Sequence, residues 1–500
     1  MSKTLTTQQA AFVDEMLSGT SNVALVARAG SGKTSTIIAA VLQYVKKFPR
    51  CEITVCAFGK AIRVEIAQKL KDLGLDWRQA QAATTHSMGW GLTKFAFRLT
   101  ENAIDNDKVK KIIDQMNDPT CRVYGGQVAR LVNLAKVEGF GFFDDCHIGD
   151  SAAWYRLADH YNVNGFDNTT SMDQVILAAQ HVYQRSLELT SVVDYDDMVL
   201  FPLVHNLRVK FQRDVIFLDE AQDTSRARRA LVRKFLKPAG RLVAVGDDRQ
   251  AIMGFAGASA DALQDLISEM QMEVLPLTVT WRCPRAVVAL AQTIVPDIEA
   301  APGAAEGLVS KVDTLPEQVE RTDAILCRNV APLVETAYSL IRRRIPCKVE
   351  GREIGDGLKN LLGRWKVSTI PAFMAKLEDY REREVQKALA KGKESKAEQV
   401  GDQCDTLKVI CEATRQQDPQ ATLDDVRAFI TDLFADDVTG VTTLSTYHRS
   451  KGREWQRVFL LQHSSRCPSP WAKKDWEKRQ EANLAYVAIT RAAGELVFVG

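Results

Sequence analysis

Short apolar runs alternate along this chain with apolar positions at helical spacing, and most runs stop at a glycine or polar turn. The first run, Val23 to Val26, leads into ARAGSGKT, Ala27 to Thr34. Ile37, Ile38, Val41, Leu42 and Val45 then recur at helical spacing. The pattern predicts a strand, a glycine-rich turn and a helix. Glu52 to Phe58 (EITVCAF) predicts a second strand, broken by Gly59, and Ile62, Ile66, Leu70 and Leu73 mark one face of the next helix. Strand, loop and helix twice over predict an α/β fold with a parallel sheet and helices on its faces. Ahead of it, LTTQQAAFV (Leu5 to Val13) predicts a helix start with threonine caps. Ala82 to Trp90 (AATTHSMGW) reads as a polar loop carrying Thr85 and His86. A parallel sheet places such ligand loops at its C-terminal edge.

From about residue 100 to 190 the pattern turns helical, with runs such as KVKKIIDQM and QVARLVNLAKV. A solvated basic face is the plainer reading there, with nucleic acid as the alternative. DYDDMVLFP (Asp194 to Pro202) reads as a helix start whose acids cap it and complement its dipole, in preference to a metal site. Two fully apolar strands follow, each ending in acids: VIFLDEAQD (Val215 to Asp223) and LVAVGDD (Leu242 to Asp248). A second α/β pattern has a strand at Ala324 to Cys327 and a helix at Leu333 to Ile341. It resumes at Val441 and closes on ELVFVG. The expected domains are 1–100 with 190–275, interrupted by a helical insertion at 101–189, and 276–355 with 437–500, interrupted by a helical insertion at 356–436. The charge-dense REREVQKALAKGKESKAEQV within the latter reads as a solvated helix or a linker.

The turn after the first strand carries the chemistry. Gly30 and Gly32 let backbone N–H groups approach a phosphate, and the helix N-terminus adds partial positive charge. Ala27, Arg28, Ala29, Gly30, Ser31, Gly32, Lys33 and Thr34 are therefore candidate nucleotide contacts, with Lys33 on the β- and γ-phosphates and the Thr34 hydroxyl on Mg²⁺. Ala27 stands where the usual motif has Gly. Asp219, at a strand tip, is a second Mg²⁺ candidate, and Glu220 a group to polarise the attacking water. Gln250 follows the next acidic tip, placed to sense the γ-phosphate. Phe255 in GFAGA can stack on a base or pack in a core. Trp281 and Arg282 (TWRCP) can stack on adenine and reach a terminal phosphate, or form an ordinary surface pair.

Net charge is only +2, so any nucleic acid must meet a local basic surface. No apolar run reaches the roughly eighteen residues that argue for a membrane span, and MSKTLTTQQAAF lacks the apolar core of a signal peptide. Ten scattered cysteines without a CxxC pair read as reduced, buried thiols in a cytoplasmic-type compartment, and the seven histidines complete no zinc spacing.

With these residues laid out, the chain resembles superfamily 1 DNA helicases of the UvrD/Rep type. The likeness runs in order through the Gln9 segment, ARAGSGKT, CAFGKAI, TTHS, DEAQD, VGDDRQAIMGFAGA, TWRCP, TYHRSKGREW and YVAITRA. The AFGKAI, DYDDM, GFAGA and RCP variants are most similar to the phage and F-box DNA helicase branch. The resemblance implies two RecA-like P-loop motor domains with parallel sheets, each carrying a mainly helical insertion, with ATP in the cleft between them. It implies ATP and Mg²⁺ as cofactors, and hydrolysis coupled to 3′→5′ movement and unwinding in replication, recombination or repair. It assigns Lys33, Glu220, Gln250, Arg282 and Arg491 to catalysis, Thr34 and Asp219 to the metal, Gln9 and Trp281 to adenine and Glu454 to the ribose neighbourhood. Phe58, Thr85, His86, Phe255, His448 and Trp455 become candidate DNA contacts. Single-stranded DNA and duplex junctions are the implied partners of a monomer, with a single-strand-binding protein or other replication and repair proteins as further candidates. The implied compartment is the cytoplasm of a bacterium or phage-infected host, or a eukaryotic nucleus.

There are departures. Met253 and Trp281 stand where Tyr is usual, Ala256 replaces a common Arg, and the second insertion is short. A translocase that strips proteins with little unwinding is one alternative, and a non-catalytic DNA-binding scaffold another. An RNA substrate also stays open, because 2′-OH discrimination is not legible in sequence.

Overall fold

The computed structural model describes residues 5–163, 172–254, 261–390, 394–435 and 439–500. The chain forms two compact units, Met1–Thr278 and Val279–Gly500.

The first unit is built on six strands: β1 (Val23–Ala27), β2 (Ile53–Ala57), β3 (Ala80–Thr84), β4 (Arg213–Leu218), β5 (Leu236–Gly246) and β6 (Glu273–Leu277). They run parallel in the order β3-β2-β4-β5-β1-β6. Side chains alternate across the sheet. Val23, Leu25, Phe217, Val243 and Val245 pack on one face with Ile37 and Val41 of α2 (Lys33–Lys47), beside α1 (Thr7–Ser18). On the other face Ala24, Ile216, Leu218 and Leu242 meet Leu263 and Leu266. As expected, Thr6 caps α1, in a reciprocal box with Gln9. Helix α3 (Lys60–Asp72) follows β2.

The segment read as a polar loop is instead the end of β3 followed by helix α4 (Thr85–Phe97), capped by Thr84 and Ser87. Gly89 within it serves packing. A Cβ on Gly89 would stand 1.9 Å from the Met198 carbonyl oxygen, so the glycine permits close approach of two helices.

Between β3 and β4 lie α5 (Lys108–Gln115), α6 (Pro119–Glu138), α7 (Ser151–His160), α8 (Met172–Glu188) and α9 (Tyr195–Val204). They share a core that includes Val128, Leu131, Trp154, Val182, Tyr183 and Phe201. The DYDDM acids sit inside this layer. Asp194 caps α9 and accepts from Lys136 Nζ at 2.5 Å, and Asp197 meets Lys136 at 2.7 Å and Lys108 at 2.7 Å. All four side chains are almost fully buried. The acids therefore serve as a helix cap and as partners for two lysines that would otherwise be stranded in an apolar layer. Helices α10 (Arg226–Lys234) and α11 (Ala262–Met270) complete the unit.

The second unit starts with a short parallel pair, β7 (Val279–Thr280) and β8 (Glu299–Ala300), flanking α12 (Arg285–Ala291). Its main sheet contains β9 (Leu308–Val312), β10 (Ala324–Cys327), β11 (Cys347–Val349), β12 (Thr442–Thr446), β13 (Trp455–Leu461) and β14 (Ala492–Val499). The order is β11-β12-β10-β13-β14-β9, again all parallel. Helix α13 (Ala331–Arg342) follows β10. Between β11 and β12 come α14 (Arg352–Leu362), α15 (Ile370–Ala390), α16 (Glu394–Gln417) and α17 (Leu423–Leu433). These four share a core with the sheet, through Leu358, Phe373, Leu407 and Ile430 against Ile325 and Phe459. The charge-dense run divides between α15 and α16. Short α18 (His463–Arg466) and long α19 (Asp475–Ile489) lead to β14. No described helix is long and apolar enough to cross a membrane. The architecture is a mixed α/β chain with two six-stranded parallel sheets, consistent with two RecA-like domains.

Removing one partner from the buried charge cluster strands the others. Asp197→Ala is expected to destabilise the first unit by about 3–5 kcal/mol, read as a lowered urea midpoint. An unchanged midpoint would show that the lysines find water.

Candidate nucleotide site

Strand β1 ends at Ala27, and the chain turns through Gly30 (φ 72°) and Gly32 (φ 87°), both in the left-handed region that glycine tolerates. Gly32 caps α2 with no side-chain hydrogen bond, so no side chain of the cap covers the helix's first-turn donors. The Ser31 hydroxyl is buried and has no hydrogen-bond partner. An anion with several acceptor oxygens satisfies this set, so the residues present fit a nucleotide phosphate. Gln9 is drawn against the loop. Its Nε2 donates to Thr36 Oγ1 at 3.0 Å and its Oε1 accepts from Thr6 N–H at 3.1 Å. A Cβ on Gly32 would lie 3.2 Å from Gln9 Nε2. Ala27 and Ala29 are buried, and Arg28 N–H donates to the Leu277 carbonyl at 2.8 Å.

Strand β4 ends at Leu218, and Asp219 and Glu220 follow it. Lys33 Nζ pairs with Glu220 Oε1 at 2.6 Å. Glu220 is held at φ 51°, an uncommon conformation for a residue with a Cβ, and its N–H donates to Asp219 Oδ1 at 3.0 Å. Burial works against the charge on Lys33, but Glu220, Asp219 and Asp247 outweigh it and raise its pKa above the ordinary value. Lys33 therefore stays cationic. Asp219 is buried and Thr34 half-buried. Among the described residues no cluster of three or more His, Cys, Asp or Glu side chains suits a metal. A Mg²⁺ ion at Thr34 and Asp219 would thus need substrate oxygens or water as further ligands, the usual habit of this ion. Gln250 follows β5 and donates from Nε2 to Asp247 Oδ2 at 2.6 Å. Arg28, counted from sequence among the nucleotide contacts, turns its guanidinium to Asp247 (2.9 Å) and Asp248 (2.6 Å).

Further along the same sheet edge lies a small aromatic and basic cluster. Phe58 is 37% exposed after β2, and Arg228 stacks toward its ring at 5.7 Å. Arg228 Nη2 is 3.4 Å from His86 Nε2, and the His86 ring meets Tyr195 edge-on at 5.9 Å. Burial and then the Arg228 charge push the His86 pKa down to about 4, so the ring is neutral at neutral pH. Thr85 is buried at the start of α4. Phe255 lies outside the described residues.

In the second unit three distant segments converge. Arg282 Nε pairs with Glu454 Oε2 at 2.5 Å and Nη1 donates to the Thr490 carbonyl at 3.3 Å. Arg491 is buried, donating to the Val487 carbonyl (2.8 Å), the Arg453 carbonyl (2.9 Å) and Thr490 Oγ1 (3.0 Å). Trp455 N–H donates to the Arg491 carbonyl at 3.0 Å. Trp281 is 58% exposed beside Arg282. His448 is half-buried, and burial followed by the Arg328 charge pushes its pKa down to about 3.

Sequence reasoning passed over Tyr195, Arg228 and Gln222, and read Asp247 only as one of the acids at a strand tip. Tyr195 is 55% exposed within an acid run that was legible only as a helix cap. An exposed aromatic in that run was the available clue. Arg228 sits in the RARR stretch of α10, which carries no spacing that points to a ring two elements away.

The description "UvrD/REP helicase N-terminal domain" matches residues 5–271, and "UvrD-like helicase C-terminal domain" matches residues 361–499. Among curated proteins the chain is similar to ATP-dependent DNA helicase PcrA of Leuconostoc citreum, 24% identical over 257 residues, 47% of this chain and 32% of that protein. It is also similar to DNA helicase II of Escherichia coli, 21% identical over 297 residues, 55% of this chain and 38% of that protein. A shorter likeness to ATP-dependent DNA helicase srs2 of Schizosaccharomyces pombe is 30% identical over 125 residues, 24% of this chain and 14% of that protein. The matched stretches thus span under two-fifths of these relatives' own lengths.

Two outcomes follow from the Arg228 cluster. If it meets nucleic acid, Arg228→Ala should lower the salt dependence of binding by about one counterion, whereas His86→Gln should leave that slope unchanged because the ring is already neutral. Fluorescence anisotropy across a salt series reads both. The unfolded chain binds a proton at His86 near pH 6.5, but the folded chain binds it only near 4. Stability from this group is therefore complete above about pH 6.5 and falls as pH drops toward 4. Urea denaturation at pH 5 and 7.5 should show a smaller acid loss in His86→Gln than in the parent.

Proposed function

Because the chain belongs to the UvrD/REP helicase family, we propose that it hydrolyses ATP while moving along single-stranded DNA and separates the duplexes it meets. One observation carries this reading. Three adjacent strands, β4, β5 and β1, lead to Asp219 and Glu220, to Asp247, and to the glycine turn before Lys33, around an uncapped helix N-terminus. Lys33 and the α2 donors hold the phosphates of the substrate. Thr34 and Asp219 would hold Mg²⁺, which screens phosphate charge when bound. Glu220 is paired with Lys33 in the resting chain. Once phosphate oxygens take the ammonium, this carboxylate can orient the attacking water. Gln250 senses the γ-phosphate, Gln9 and Trp281 recognise adenine, and Glu454 lies toward the ribose. Arg282 and Arg491 are the cations offered to the transferring group, and each must first leave its present acceptors.

Phe58, His86, Tyr195 and Arg228 form the DNA-facing cluster of the first unit, with Phe255, His448 and Trp455 as further contacts. The AFGKAI, DYDDM, GFAGA and RCP variants support a place in the phage and F-box branch. The family likeness supports 3′→5′ movement, with work in replication, recombination or repair. The compact second insertion, α14 to α17, favours a second reading in which the chain mainly strips proteins from single strands.

Adding single-stranded DNA should stimulate ATP hydrolysis, and equal turnover without it would defeat the reading. A duplex with only a 3′ tail should open and one with only a 5′ tail should not. Strong stimulation without opening supports stripping instead. Lys33→Ala should lose much of the nucleotide affinity. Arg491→Ala should bind ATP near normally but slow hydrolysis by about 10³–10⁵, the usual range for such an arginine. If its melting temperature collapses while single-turnover hydrolysis holds, Arg491 is a scaffold group.

A further inference from the structure

The phosphate loop contains a charged side chain that its cradle does not need. Arg28 Nη1 lies 2.9 Å from Asp247 Oδ1 and 2.6 Å from Asp248 Oδ1. Asp247 is fully buried just past the end of β5. Its Oδ1 also accepts from Arg249 N–H at 3.1 Å, and its Oδ2 accepts from Gln250 Nε2 at 2.6 Å. Asp247 N–H donates to Gln222 Oε1 at 3.1 Å, and Gln222 Nε2 donates to Glu220 Oε2 at 2.5 Å. The other Glu220 oxygen holds Lys33. A continuous polar chain therefore joins Arg28 to Lys33 through Asp247, Gln222 and Glu220. The contact is built into the backbone as well. A Cβ on Gly246 would stand 2.2 Å from Gln222 Oε1, so only glycine lets that amide reach Asp247.

We propose that Arg28 is a positioning residue: by holding Asp247 it fixes the Gln250 amide, and so sets how well the site tells a nucleoside triphosphate from a diphosphate. The inference rests on the ATP reading above. Its physical basis is simple. The primary amide is planar, so pinning Nε2 to Asp247 fixes the direction of the amide oxygen and the remaining N–H. A carboxylate this deeply buried needs a cation, and Arg28 meets two carboxylates with one rigid group. After Arg28, Lys33 is the other cation whose charge acts on Asp247, and the phosphates require it. Arg28 thereby keeps Lys33 and Gln250 assigned to the nucleotide.

The test compares the parent, Arg28→Ala, Gln250→Ala and the double variant. Affinities for ADP and for a non-hydrolysable ATP analogue with an imido β–γ bridge are measured with Mg²⁺ by displacement of a fluorescent nucleotide. Melting temperature is recorded for each protein. The ratio of the two affinities should shift about tenfold in Gln250→Ala, the size expected for one hydrogen bond to a charged group. Arg28→Ala should reproduce that shift with ADP affinity within about threefold of the parent, and the double variant should shift no further. An unchanged ratio in Arg28→Ala overturns the proposal, as do fully additive shifts. If Arg28→Ala does not fold, Arg28→Lys replaces it. One ammonium cannot present the guanidinium fork, so a ratio between those of the parent and Gln250→Ala is expected, and a parental ratio overturns the proposal. A parent that binds neither nucleotide defeats the ATP reading itself. A parent that binds both without distinguishing them defeats only the role given to Arg28 and Gln250.

Discussion

A strand buried on both faces of a sheet has no room for an unpaired polar side chain until its last residue is past. That constraint organises this molecule. In the second unit Glu454 and Arg491 stand just before β13 and β14, but in the first the central strands are apolar toward their C-terminal ends, and the chemistry begins one residue beyond. Parallel pairing puts all those ends on one edge. In the first unit that edge collects Ala27, Phe58, Thr85, Asp219 and Asp247 from five strands without any of them interrupting a strand. The glycine turn at Gly30 and Gly32 presents the backbone itself there, rather than a side chain.

The same edge must neutralise what it gathers. Lys33 with Glu220 and Arg28 with Asp247 are opposite charges held at short range in a partly dry setting. The helical layer solves the same problem with two lysines and two aspartates. In each case one acidic side chain also serves a local backbone need, as a cap or as an acceptor beside a strand end. Pairing charge and satisfying backbone donors with one carboxylate reduces the number of polar groups that must be buried.

The strands, the phosphate loop and the acid-tipped strands were legible because apolar runs and glycine spacing are local properties. The caps on α1 and α9 were legible for the same reason. The segment carrying Thr85 and His86 was not, because glycine there reflects contact with Met198, more than a hundred residues away. Arg28 was visible as part of a motif, but its partners lie some 220 positions on, and no spacing rule connects them. Tyr195 and Arg228 were hidden in the same way: each is ordinary in its own helix and gains meaning only beside His86. Local periodicity shows which residues reach the edge, while long-range packing decides what they meet there.

The position of β1 in its sheet bears on how the chain is made. Its two neighbours are β5 and β6, so Val23 pairs with Val243 and Glu273. During synthesis the phosphate-loop strand therefore emerges more than two hundred residues before either neighbour exists. Closing so large a loop costs little more than closing a moderate one, but it makes pairing slow. The helices between β3 and β4 carry their own core and emerge in the interval. The nascent first unit thus carries an apolar, unpaired strand until β5 appears, the interval in which such edges invite chaperones or aggregation. In this topology an early-made strand of the candidate nucleotide site is among the last to find its place.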